Sequence, residues 1–149
     1  PPYIMMKGQE TFKFAVSAMT GDVLSVLKTA NIEPDQVRWF IPHQANIRIE
    51  TAVARRIKVS EDHIMINIDH MANTSGGTLP LCLWEYEPQL KKGDKLIMTA
   101  FGAGFTWGAN YLIWGYDGAA EAAKSPAEYY KEGEISREEW YAKRNGENA

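Results

Sequence analysis

The chain has 149 residues, 45% of them hydrophobic, and a formal net charge of −3. That length is one domain or somewhat less, and the apolar share is that of a globular chain rather than a disordered one. The mild negative charge excludes a global bias toward nucleic acid, and a single cysteine excludes an intrachain disulfide and points to a reducing, cytoplasmic setting.

No apolar run is long enough to span a bilayer. Phe101 to Trp114, the longest apolar-rich stretch, is broken by glycines. No signal-like segment opens the chain, and the start Pro1-Pro2-Tyr3 reads as the interior of a longer protein. From Gln9 to Ala30, Phe12, Ala15, Val16, Met19, Val23, Leu24, Val26 and Leu27 recur at helical spacing. Gly21-Asp22 predicts a bend there, because glycine is costly inside a helix. Glu33-Pro34-Asp35-Gln36 predicts a turn, since proline fixes φ and aspartate bonds locally. Val37 to Ile41 predicts a short buried strand, stopped by Pro42.

Asn46 to Ile57 predicts the next helix, with Ile47, Ile49, Ala52, Val53 and Ile57 apolar. Arg48, Arg55 and Arg56, with Lys58 just beyond, make it locally basic. Such charges suit a solvated face, and guanidinium forks also suit phosphate. Ser60 to His63 is a polar connector, and Ile64 to Ile68 predicts a brief buried strand. Thr78 to Glu85 predicts a helix carrying Leu79, Leu81, Leu83 and Trp84, with Pro80 tolerated in its first turn. Cys82 falls in that run and reads as a small core residue rather than a nucleophile. His63 and His70 read as surface or loop residues. Three histidines and one cysteine offer no zinc-ligand spacing, so no metal site is expected. Lys95 to Ala100 and Trp107 to Trp114 predict strands joined by Gly102-Ala103-Gly104. Apolar residues on both faces predict central strands covered by helices. Beyond Gly115 the composition changes. Ser125-Pro126-Ala127-Glu128 and Ser136-Arg137-Glu138-Glu139 carry helix-capping signatures.

His43 falls where a strand hands over to a helix, a place where α/β folds meet ligands. A lone histidine there can simply satisfy a loop, but this one has company. Asn73 follows the next predicted strand, and the glycine turn Gly102-Ala103-Gly104 joins two more. Such a set can present two side-chain donors and free backbone N–H groups to one carbonyl oxygen. That is what stabilising an oxyanion or enolate requires.

Four words of sequence carry a resemblance: Met6-Lys7-Gly8-Gln9-Glu10-Thr11-Phe12-Lys13, Pro42-His43-Gln44-Ala45-Asn46-Ile47-Arg48-Ile49, Ala72-Asn73-Thr74-Ser75, and Phe101-Gly102-Ala103-Gly104-Phe105-Thr106-Trp107-Gly108. In this order they resemble the C-terminal half of the 3-oxoacyl-acyl-carrier-protein synthase III family, from about Tyr3 to Gly115. The resemblance implies an α/β architecture: the C-terminal half of a thiolase-like fold over residues 1–115, with a mixed sheet flanked by helices. Residues 116–149 become a helical extension with no assigned role.

The activity implied is a decarboxylating Claisen condensation that starts fatty acid synthesis. A cysteine of the missing N-terminal half takes an acyl group from acyl-CoA, and malonyl-acyl-carrier protein then loses carbon dioxide and attacks it. His43 and Asn73 match the family's donor pair at the malonyl oxygen. Ala103 matches a backbone N–H donor, although the family commonly has glycine there, as it does at Ala72. Arg48, Arg55 and Arg56 match basic positions toward the acyl-carrier protein, and Asn46 matches a residue positioning the loop or touching pantetheine. The complete enzyme is expected to be a homodimer with no cofactor, no nucleic acid and no membrane partner. Alternatives are a split-enzyme subunit, a non-catalytic module that binds a pantetheine thioester, and a related polyketide-type synthase.

Overall fold

The computed structural model describes residues 6–119. Helix α1 runs unbroken from Gly8 to Ala30. The bend expected at Gly21 is not there. One glycine costs a helix about 1 kcal/mol, and the stripe Val16, Met19, Val23 and Leu27, all buried in one core cluster, outweighs it. Asn31, in the left-handed region at φ 53°, ends the helix by donating its N–H to the carbonyls of Leu27 and Lys28.

Strand β1 is Trp39–Pro42 and starts two residues later than the sequence suggests. Strands β2, Lys95–Gly102, and β3, Thr106–Ile113, form a hairpin. The sheet order is β1-β2-β3, with β1 parallel and β3 antiparallel to β2. It is therefore mixed, as expected. Helix α2 is Ile47–Ile57, α3 is the single turn Ile68–Met71, and α4 is Thr78–Tyr86.

Successive strand residues point to opposite faces, and this divides the core in two. Phe40 and Ile97 pack with α1 and α2, against Val16, Val23, Val53 and Ile57. Trp39, Ile41 and Leu96 pack on the other face against Met65, Cys82 and Leu90. Burying each such large side chain contributes about 1.5–3 kcal/mol.

Two further expectations fail. Ile64 to Ile68 does not form a strand. It makes one isolated parallel bridge, Phe40 with Ile64, supported by the Met65 N–H on the Phe40 carbonyl at 2.9 Å. Its next N–H, that of Ile66, donates to the Tyr86 hydroxyl at 3.3 Å, and the two after it are taken by one side chain, as described below. Strand β3 is also not covered on both faces. It is the outer strand, and none of its residues is buried. The capping signatures at 125–128 and 136–139 lie outside the described residues.

Candidate active site

The site is built on the end of β1. The His43 N–H bonds the Thr99 carbonyl at 2.8 Å, which carries the β1–β2 ladder one residue past Pro42. Asn46 then caps α2, its side chain accepting the Arg48 N–H at 2.9 Å. Backbone on both sides thus fixes the corner Pro42–Asn46.

Between these anchors Gln44 is fully buried. Its Nε2 donates to the carbonyls of Pro42 and Met65 at 2.8 and 3.2 Å. Its Oε1 accepts from the N–H groups of Asn67 and Ile68 at 2.9 and 3.2 Å. All four of its hydrogen-bonding positions are used, as burial of an amide demands. Gln44 thereby replaces the strand partner that 64–68 lacks. It ties the histidine corner to the segment that leads to Asn73.

The His43 ring is half-buried, and burial lowers its pKa, so the imidazole is neutral near pH 7. Its Nδ1 lies 2.6 Å from the Thr78 hydroxyl. The ring lines an open cleft of about 460 Å³, together with Ser75, Leu79, Thr99, Phe101 and Trp107.

Asn73 is exposed and stands outside the cleft wall, two residues before Ser75. Its Oδ1 accepts the Ser75 N–H at 2.9 Å. Its NH₂ group has no partner among the described residues, so the side chain is available as a donor. Ala72, just before it, sits at φ 58° and ψ −167°, a region essentially reserved for glycine. Ala103 is exposed in the β2–β3 turn and does not line the cleft, although Gly102 and Thr106 on either side do. Its φ is not positive, so alanine fits there, while Gly104 takes the φ of 143°. A Cβ at Gly104 would meet the Thr106 hydroxyl oxygen at 2.5 Å, so that position requires glycine.

The model of the C-terminal domain of 3-oxoacyl-[acyl-carrier-protein] synthase III matches residues 27–114. The chain belongs to this family. It is 55% identical over 117 residues to the beta-ketoacyl-[acyl-carrier-protein] synthase III of Phocaeicola vulgatus, covering 78% of this chain and 35% of that protein. It is 49% identical over 120 residues to synthase III 2 of Bacteroides thetaiotaomicron, covering 80% of this chain and 36% of the relative. Among solved structures, the synthase III of Aquifex aeolicus superimposes with a TM-score of 0.73 at 42% identity, over 75% of this chain and 37% of that one. The priming beta-ketosynthase of a polyketide biosynthetic pathway gives a TM-score of 0.71 at 26% identity, covering 76% and 35%. The chain therefore spans about a third of the length of these synthase III relatives.

Within this synthase III domain the three arginines do not act alike. Arg55 donates Nε–H and Nη2–H to Glu61 Oε1 at 3.0 and 2.9 Å, an exposed pair worth little to stability. The Arg48 guanidinium lies 5.8 Å from the centroid of the Phe12 ring. Neither Arg48 nor Arg56 forms an ion pair among the described residues. Cys82 is fully buried, and burial, followed by the charges of Glu85 and Glu50, pushes its thiol up to about 12. So protonated a thiol is no nucleophile at neutral pH, and the core reading of Cys82 holds. His70 is exposed, as expected, but it is not idle. It bridges Asp69 at 2.9 Å and Glu85 at 2.9 Å, and the Asp69 bond, then the Glu85 bond, raise its pKa.

Gln44 and Thr78 are site-building residues that the sequence reading did not single out. The signal for Gln44 was an amide between a strand end and a helix cap. Nothing local marks Thr78, which meets His43 across 35 positions.

Proposed function

We propose that this chain is the C-terminal part of a cytoplasmic, decarboxylating condensing enzyme that joins an acyl-cysteine primer to malonyl-acyl-carrier protein and so starts fatty acid synthesis. Residues 1–115 form its C-terminal half domain, and 116–149 are an extension to it. The single observation that carries this reading is a neutral imidazole, His43, on the wall of an open cleft, in a loop tied by Gln44 to the segment bearing a free amide donor, Asn73.

The chemistry follows from where charge develops. When the malonyl thioester loses carbon dioxide, the electron pair of the broken C–C bond moves onto the thioester oxygen as an enolate. Two neutral donors at that oxygen stabilise the charge more than the uncharged ground state. His43 and Asn73 are those donors, each contributing about 2.7–4 kcal/mol. The enolate carbon then attacks the acyl-cysteine carbonyl, the C–C bond forms and the cysteine thiolate leaves. The Ala103 N–H serves the oxyanion of that step. Arg48, Arg55 and Arg56 face the acidic carrier protein, and Asn46 holds the loop beside the pantetheine arm.

The nucleophile comes from the N-terminal part of the enzyme, because Cys82 is buried and protonated. That part also covers the exposed rings beside the cleft, and the whole enzyme is a homodimer. The likeness to a polyketide priming ketosynthase favours one second reading, the same chemistry in a polyketide pathway.

The test is mass spectrometry of the full-length protein after incubation with acetyl-CoA. One acetyl group should appear on a cysteine outside this chain, and addition of malonyl-acyl-carrier protein should remove it. Reversible acetylation of Cys82 would overturn the assignment.

A further inference from the structure

A neutral imidazole has one proton for two ring nitrogens, so the partner at one nitrogen decides what the other can do. The partner of His43 Nδ1 is the Thr78 hydroxyl at 2.6 Å. That hydroxyl has one hydrogen and a second neighbour, the Ser75 carbonyl, at 3.1 Å. Two arrangements follow. If the hydroxyl donates to Ser75, it accepts from Nδ1–H and leaves Nε2 bare. If it donates to Nδ1, the ring proton sits on Nε2.

Four observations favour the second. Hydroxyl donors make shorter bonds than N–H donors, with O–H···O most common near ~2.7–2.8 Å and N–H···O near ~2.9–3.0 Å. The 2.6 Å contact between oxygen and Nδ1 lies below the ~2.7–3.2 Å range of N–H···O bonds, so it fits a hydroxyl donor rather than Nδ1–H. The 3.1 Å contact to Ser75 is long for one. The Ser75 carbonyl already accepts the Thr78 backbone N–H, so it keeps a partner when the hydroxyl turns away. Thr78 is also only 2% exposed, so bulk water does not compete for its hydroxyl.

We propose that Thr78 is a positioning residue whose hydroxyl selects the Nε2–H tautomer of His43 and so makes the imidazole a hydrogen-bond donor toward the cleft. The proposal deepens the proposed function and rests on it for its catalytic consequence. Thr78 acts through His43. It also stands at the start of α4, directly after the Asn73 loop, so one residue links the two donors.

Two measurements on the full-length protein test this. The first labels histidine with ¹⁵N and reads the His43 tautomer at pH 8, above its ordinary and its lowered pKa. Wild type should show a protonated Nε2 and a bare Nδ1, Thr78→Val should show a mixture, and Thr78→Ser should restore the single form. A protonated Nδ1 in wild type, or a Thr78→Val spectrum like wild type, overturns the proposal. If Thr78→Val does not fold, the wild-type spectrum decides alone.

The second follows the half-reactions. Thr78→Val should lower kcat for malonyl decarboxylation by about 10- to 100-fold, short of the ~10²–10³ lost when an oxyanion donor is removed outright. KM and acylation of the cysteine should hardly move, and Thr78→Ser should recover kcat. Equal losses in both half-reactions would mark a merely structural residue and sink the proposal. Wild type showing the Nε2–H form but no condensing activity would sink the proposed function and leave the tautomer assignment standing.

Discussion

The two edges of the sheet have opposite fates. All four residues of β1 are buried, and none of the eight in β3 is. Composition does not separate them, since β3 carries Trp107, Tyr111, Leu112 and Ile113. What differs is cover. Helices α1 and α2 close one face of β1, and the cluster around Met65, Cys82 and Leu90 closes the other. Strand β3 is covered only in part: Ala109 and Tyr111 pack against the first cluster beside α1 and Leu112 against the second, while exposed rings at its outer end hold one another. Phe14 stacks on Phe105 at 5.5 Å and meets Trp107 edge-on at 5.3 Å. Contiguous exposed apolar surface marks a contact made elsewhere. Under the proposed function the rest of the enzyme makes it. An apolar pattern in a sequence reports what the whole protein buries, so under that reading this chain shows part of its pattern uncovered.

The largest expected effect sharpens this contrast. Phe40→Ala in β1 should destabilise by about 3–5 kcal/mol, the range for truncating a core aromatic. Trp107→Ala in β3 should cost this polypeptide on the order of 1 kcal/mol, the centre of the distribution for point mutants. Urea denaturation of both variants checks it, and equal losses would break the comparison.

A flaw inside the buried region gives the next. Glu50 of α2 is fully buried, and neither of its carboxylate oxygens has a hydrogen-bond partner among the described residues. Burial pushes its pKa from an ordinary 4.5 up to about 7, with the Asn46 backbone pulling the other way. The folded state therefore binds more protons than the unfolded one between those values. Its stability contribution is present below pH 4.5 and lost as pH rises through about 7. Glu50→Leu should stabilise the protein by about 1–3 kcal/mol at pH 8, the cost of leaving a buried polar group unpaired. The gain should shrink toward pH 4.5. A gain that does not change with pH would place the effect in packing alone.

The smallest lies in the open Asn73 loop. Ala72 holds a backbone conformation suited to glycine, which costs of order 1–3 kcal/mol. Glycine recovers that strain but adds about 0.5–1 kcal/mol of chain entropy. Ala72→Gly should therefore stabilise by about 1 kcal/mol in thermal unfolding. A loss of stability would mean that the loop holds no strain at this residue.

Much of this was legible because it is local. The stripe of α1, the extent of α2, the hairpin and the His43 corner all follow from spacing and turn chemistry within a few residues. The failures are long-range. Ile64 to Ile68 reads as a strand because it is mostly apolar, but the Tyr86 hydroxyl takes the N–H of Ile66, and Gln44, more than twenty positions earlier, takes those of Asn67 and Ile68. Gly21 signals a bend that core packing suppresses. The exposure of β3 is not legible either, because its apolar residues match those of a buried strand. The Thr78–His43 contact spans two loops and a helix start, so no window of sequence contains it.

The most direct test of the central claim separates the two half-reactions in the full-length protein with His43→Ala and Asn73→Ala. Cysteine acylation by acetyl-CoA is read by mass spectrometry, and malonyl decarboxylation by release of carbon dioxide. If both side chains serve the malonyl oxygen, decarboxylation should fall by about 10²–10³ in each variant, while acylation stays near the wild-type rate. Loss of acylation with decarboxylation retained would contradict the account.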